Sequence, residues 1–249
     1  MSTIGTELQV LYKIGNAPIR EYPYPHVYVP EIFPAEFYAE IRRNLPAQSA
    51  LKTLGELGRV RGTAYPERAV LPLAETSLAA LEPAQRDFWN GVRQWLLGRR
   101  FADIVVGKFA PYLAQRFGDL RRVRFGFESL LVRDRTRYSL GPHTDTTSKA
   151  LSFLFYLPPD ASKAHLGTSI YLPKDPNFTC PGGPHYGFDR FERLYTAPYL
   201  PNSLFAFMRT DVSFHGVEPI EEPGVQRDLL LYDVRAELQQ QPGARVAFS

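Results

Sequence analysis

The sequence predicts a mainly β protein with supporting α-helices, its strands closed into a barrel or sandwich. Three observations point there. From residue 123 on, FGFESLLVRD, ALSFLFYLP, GTSIYLP, SLFAFM and DLLLYDV are short runs of β-branched, aromatic and aliphatic residues separated by proline, glycine and polar turns. Many short strands joined by turns read as a sandwich or barrel rather than as alternating βαβ units. Before residue 123, apolar residues recur at helical spacing instead. Finally, 249 residues with 44% apolar and 13% aromatic content suffice for one large core. The expected layout is a single domain over 1–249, with helical and strand-bearing support over 1–122 and the barrel core over 123–249.

Along the chain, residues 1–22 carry little beyond the alternation in Leu8-Gln9-Val10-Leu11-Tyr12. YPYPHVYVPEIFP predicts a short strand bounded by prolines. His26 within it has no acidic or histidine partner at ligand spacing and reads as a packed structural histidine. Pro34 opens a helix at a position where its missing N–H costs nothing. Phe37, Ile41 and Leu45 give that helix one apolar face, and Pro46 ends it. Residues 47–75 mix glycine, proline and charge and read as extended or loop chain passing over a site. Helices are predicted from Pro83 to Leu97, with Phe88, Val92 and Trp95/Leu96 inward, and from Phe101 to Phe117, with Ile104, Val105, Phe109 and Leu113 inward and a kink at Pro111.

Charge and composition exclude several classes. A formal charge of +3 is spread over many arginines, and Arg121-Arg122-Val123-Arg124, the densest basic cluster, reads as a solvated face or structural pairing site. Nucleic acid is therefore not an expected partner. No apolar run approaches the roughly 20 residues of a membrane span. The N-terminus lacks a basic start followed by an apolar block, and the one cysteine, Cys180, excludes an internal disulfide. The expected compartment is the cytoplasm. The oligomeric state is left open.

The chemistry centres on Gly141-Pro142-His143-Thr144-Asp145 and, 70 residues after Asp145, on Ser213-Phe214-His215-Gly216-Val217. A His-x-Asp pair alone is weak, because such pairs arise by chance. A second histidine beyond several strands strengthens it, since a closed sheet brings distant strands together. Two imidazoles and one carboxylate form a facial triad that leaves open positions on a ferrous ion. In QRDLLLYDVR, period two places Arg227 on one face with Leu229 and Leu231, a cation among apolar neighbours. A buried arginine requires an anionic partner, and its fork matches a carboxylate at two points. That partner is either a dicarboxylate ligand or a structural aspartate such as Asp233 or Asp228. Gly216 lets the backbone turn tightly beside His215, and Asn202 after Pro201 reads as a turn residue.

The set GPHTD…SFHGVEP…R resembles the Fe(II)- and 2-oxoglutarate-dependent oxygenases of the double-stranded β-helix (jelly-roll, cupin-like) fold. The resemblance covers roughly residues 125–235 in motif order, and HVYVPEIFPAEFYAEIRRNLP also looks like the opening of small bacterial members. It implies that His143, Asp145 and His215 are the catalytic metal ligands. Arg227 would hold the distal carboxylate of 2-oxoglutarate, with O2 as the oxidant and succinate and CO2 released. Tyr138, five residues before His143, either touches the co-substrate or packs in the core. An intact Asp145 favours oxygenation over halogenation. The resemblance is nearly silent on substrate. Hydroxylation of a small or medium-sized polar molecule, or a conjugate of one, is the expectation; demethylation, desaturation and ring closure start from the same hydrogen abstraction. The competing reading is a non-catalytic metal- or ligand-binding β-barrel, a sensor or carbohydrate-binding module. KDPNFTCPGGPHYGFDRFERLYTAP reads as a long loop at the barrel mouth. His185, Tyr186 and Arg190 in it are candidate substrate contacts. Arg209 is another, with pairing to Asp211 as the plainer alternative.

Overall fold

The computed structural model describes residues 3–60 and 64–239. The first two residues, residues 61–63 of the 47–75 stretch and the end of the expected core, 240–249, lie outside the described residues. The segment preceding the barrel contributes α1 (Thr3–Asn16), β1 (His26–Val29), α2 (Ala35–Arg43), β2 (Lys52–Thr53), β3 (Arg68–Pro72), α3 (Glu75–Leu78), α4 (Pro83–Leu96) and α5 (Arg99–Phe117). Eight strands follow: β4 (Val123–Arg135), β5 (Leu140–His143), β6 (Lys149–Tyr156), β7 (Thr168–Pro173), β8 (Phe191–Ala197), β9 (Ser203–Met208), β10 (His215–Val217) and β11 (Gln226–Leu238).

These eight strands are divided between two antiparallel sheets. The larger is ordered β1-β9-β6-β11-β4-β3-β2 and the smaller β5-β10-β7-β8. Four strands facing four, with sequence neighbours repeatedly changing sheet, make the double-stranded β-helix. Its longest ladder pairs β11 with β4 from Gln226↔Arg135 to Leu238↔Val123. Strand alternation sorts β11 into two faces. Leu230, Tyr232 and Val234 join a core with Trp89, Val92, Phe101, Val105 and Phe109 of the helices. Leu229 faces the other way, into a core with Val132, Tyr156, Ile170, Phe207 and Val217 between the sheets. The helices buttress one face of the larger sheet, and Phe101 meets Tyr232 edge-on at 5.0 Å.

Four expectations change. The alternation at 8–12 belongs to helix α1, where Val10 and Ile14 are fully buried while Leu8 and Tyr12 are exposed; the period that matters is four. Helix α5 turns Ile104 outward, burying Phe101, Val105, Phe109 and Leu113 at four-residue steps. Of the 47–75 stretch, expected as extended or loop chain, the part from Arg68 to Pro72 becomes a paired strand, β3 running along β4. The 174–198 segment is loop only in its first part; β8 pairs with β7 through six register positions. Its strand residues Glu192, Arg193 and Leu194 are exposed, so apolar alternation is missing from them. Among the described residues no helix is long and apolar enough to cross a membrane.

Candidate metal centre

β5 and β10 are adjacent in the smaller sheet, and their register sets His143 directly opposite His215. The two rings lie 4.3 Å apart between centroids. Asp145 follows β5 by two residues, and its Oδ1 and Oδ2 lie 3.9 Å from Nε2 of His143 and of His215 respectively. One ligand atom from each of the three falls within 4.8 Å of the others. An N2O donor set on one side of a point, with the opposite side open, suits a divalent transition metal.

The backbone orients both imidazoles. His143 Nδ1 lies 3.0 Å from the Gly141 carbonyl and His215 Nδ1 2.9 Å from the Ser213 carbonyl. A carbonyl only accepts, so each Nδ1 carries the proton and each Nε2 keeps its lone pair toward the centre. Burial, and then the His215 ring beside it, push His143 well below the ordinary imidazole range. Burial also lowers His215, although Asp145 opposes it. Both rings are therefore neutral at neutral pH, as a ligand must be.

Asp145 is held from behind by residues that the sequence reading did not single out. Lys149 Nζ lies 3.3 Å from Asp145 Oδ1 and 3.0 Å from Asp233 Oδ2. Ser152 lies between the same two carboxylates, its hydroxyl 3.1 Å from Asp145 and 3.0 Å from Asp233. Burial pushes Asp145 up, but Lys149, His215 and His143 outweigh it and hold the carboxyl below its usual range. For Asp233, burial wins over Lys149, and the carboxyl is raised. Arg209 also serves Asp145, donating from Nε to its backbone carbonyl at 3.2 Å. Its other nitrogens bond the Pro181 carbonyl and pair with Asp211 at 2.8 Å. It ties the Asp145 loop to the 174–190 segment.

Arg227 is fully buried, and its counter-ion is neither Asp233 nor Asp228 but Asp134. Register explains this: Arg68 of β3, Asp134 of β4 and Arg227 of β11 lie opposite one another in one cross-strand row. Asp134 receives Arg68 at two points, 2.6 and 2.9 Å, and Arg227 Nη1 at 2.7 Å. Arg227 also donates to the Leu166 carbonyl and the Thr168 hydroxyl. Asp228 points to the opposite face and pairs with Arg133 at 2.7 Å. A pocket of about 100 Å³ runs from the triad to this row, lined by His143, Asp145, Lys149 and His215 at one end and Arg68 and Arg227 at the other.

The remaining candidates separate. His185, exposed, lies against His143 with ring centroids 4.3 Å apart and planes tilted by 55°, and it bonds the Tyr65 hydroxyl. Tyr65 holds a left-handed φ of 58°, uncommon for an aromatic residue, at the turn leading into β3. The Tyr138 ring lies beneath the Arg68 guanidinium, its centroid 4.4 Å from the guanidinium carbon, and its hydroxyl is buried without a hydrogen-bond partner among the described residues. Burial raises that phenol; it stands ready to donate. Tyr186 and Arg190 belong to an aromatic cluster. They pack with Phe178, Phe191 and Phe214, Arg190 lying 4.6 Å over Phe178 and Tyr186 donating to Cys180 Sγ at 3.4 Å. His26 is a buried residue bonded to the Tyr24 carbonyl, and Asn202, at φ 56°, bonds both backbone groups of Phe33.

Gly216 is required by close approach. A Cβ there would lie 2.4 Å from the Leu140 carbonyl oxygen on β5. Gly216→Ala should therefore push β10 from β5 and cost roughly 1–3 kcal/mol, a melting temperature lower by roughly 2–10 °C. Thermal unfolding followed by circular dichroism checks this; an unshifted transition would mean that the strands relax freely.

No protein-family model and no curated protein matches the sequence. Solved structures do match in fold. A prolyl-4-hydroxylase from Pseudomonas putida is 13% identical with a TM-score of 0.52, over 91% of this chain and 98% of that one. The non-heme alpha ketoglutarate dependent epimerase SnoN from nogalamycin biosynthesis is 15% identical with a TM-score of 0.50, over 98% of this chain and 89% of that one.

Proposed function

We propose that the chain is an Fe(II)- and 2-oxoglutarate-dependent oxygenase that hydroxylates an unactivated C–H bond of a small or medium-sized polar molecule. The observation that carries this reading is the joining, in one narrow pocket, of a His-Asp-His donor set to a buried row in which two arginines share one aspartate. The two solved structures similar in fold are, by name, a hydroxylase and an alpha ketoglutarate dependent epimerase.

The residues divide the work along the pocket. His143, Asp145 and His215 would hold the iron, which when bound supplies the activation of dioxygen and the oxidation of the C–H bond. Arg227, with the unpartnered Tyr138 hydroxyl nearby, would receive the distal carboxylate of 2-oxoglutarate, whose oxo-acid end reaches the triad. Leu229, Leu231 and Val217 line the passage and exclude water. His185 and Tyr65 bound the mouth, where the substrate lies. The balance is one dioxygen and one 2-oxoglutarate consumed, one oxygen atom delivered to the substrate, and succinate and carbon dioxide released.

Purified protein given Fe(II), ascorbate and 2-oxoglutarate is expected to form succinate slowly even without substrate, and to stop when the metal is chelated. Silence across a broad substrate panel would withdraw the reading. The Asp134 partner of Arg227 favours a second possibility, a metal-binding barrel without catalysis, because it removes the need for an external anion. Anaerobic Fe(II) with 2-oxoglutarate separates the two: chelation gives a weak visible charge-transfer band, and a non-catalytic barrel gives none. Demethylation, desaturation and ring closure share the same first step and are distinguished by product analysis.

A further inference from the structure

Six charged side chains face the pocket or stand directly behind it: Arg68, Asp134, Asp145, Lys149, Arg227 and Asp233. None shows more than 18% of its surface to solvent. Three are cations and three are anions, so these six charges balance. Arg209, behind the Asp145 carbonyl, is balanced by its own Asp211. The neutrality depends on placement. Near the arginine row the excess is positive, because one carboxylate serves two guanidiniums. Near the triad the excess is negative, because one ammonium serves two carboxylates. Lys149 and Asp233 touch Asp145 or one another but are not among the three residues that converge on the metal position.

We propose that Lys149 is a resident counter-cation, set against Asp145 and Asp233, that keeps the pocket neutral so that a divalent cation and a dianionic dicarboxylate are accommodated as a mutually neutralising pair. This deepens the iron and 2-oxoglutarate reading and rests on it. In a site this dry a divalent ion alone leaves two uncompensated positive charges, and the dianion alone two negative ones; burial penalises both. Lys149 opposes the metal and favours the dianion. Asp233 does the reverse, from a position that contacts neither.

The consequence is a pair of opposite shifts that a structural role does not produce. Calorimetry with Mn(II) on the full chain, then with 2-oxoglutarate on the Mn(II)-loaded protein, reads both. Lys149→Gln is expected to bind Mn(II) roughly tenfold more tightly and 2-oxoglutarate roughly tenfold more weakly. Asp233→Asn, nearly isosteric and still able to accept from Ser152, is expected to move each affinity the other way. If both substitutions shift Mn(II) affinity in the same direction, or neither shifts it, the counter-charge role is overturned while the metal site stands. Should either variant fail to fold, the other still decides by the direction of its two shifts. If wild-type protein does not bind Mn(II) at all, the metal reading fails and this inference with it.

Discussion

Replacing His215 by alanine is expected to abolish tight Mn(II) binding, weakening it by at least about 100-fold, more than the 10–100-fold typical of residues that only orient ligands. The size follows from the geometry. His215 Nε2 and Asp145 lie 3.9 Å apart across the site, and His143 cannot substitute because its register position is already opposite. The ring also packs against Phe207 at 4.3 Å, so some stability is lost too, roughly 1–3 kcal/mol. Calorimetry gives the affinity, and circular dichroism at the same temperature establishes that the variant is folded. Affinity within threefold of wild type in folded protein would remove His215 from the centre. His143→Ala should behave alike.

Arg227→Met is the second large effect, and it acts in two ways. Folding should lose about 3 kcal/mol, because the Leu166 carbonyl and Thr168 hydroxyl lose their donor and Asp134 loses one of two cations. Arg68 still holds Asp134 at two points, which keeps the loss near the lower end of what breaking a buried pair costs. The 2-oxoglutarate concentration needed for half-saturation should rise at least about tenfold, the equivalent of one charge-assisted hydrogen bond, while Mn(II) binding is not weakened. Chemical denaturation reads the first effect and titration of the Mn(II)-loaded protein the second. A destabilised variant with an unchanged 2-oxoglutarate requirement would make Arg227 purely structural.

Much of the fold was legible because its signals are local. Five of the eight barrel strands have apolar runs bounded by turn residues, and α2, α4 and α5 show apolar residues at three- and four-residue steps. β8 was hidden because its middle faces solvent, and β3 because five residues between prolines and charges resemble loop. The placement of the candidate residues was legible where one residue type suggests one chemistry: the fold brings His143, Asp145 and His215 together and buries Arg227. It was illegible where meaning depends on register. Arg68 matters because it lies opposite Asp134, 66 positions away in the chain. Lys149 was visible four residues after Asp145, but only the fold supplies Asp233 on its other side. The aromatic character of Tyr186 and Arg190's charge pointed toward a substrate wall; in the structure both pack on Phe178 of the same segment.

The origins of the three converging side chains have a further consequence. His143 and His215 belong to the smaller sheet, whereas Asp145 is fastened through Ser152 and Lys149 to strands of the larger one. An ion held by all three fastens the two layers together across their seam. Separation of the layers would require it to leave, so at a hundredfold excess over its dissociation constant it adds about 2.7 kcal/mol against opening. With a divalent ion bound, amide hydrogens of β5, β10 and β6 should then exchange with deuterium together and more slowly, because opening the layers would first require its release.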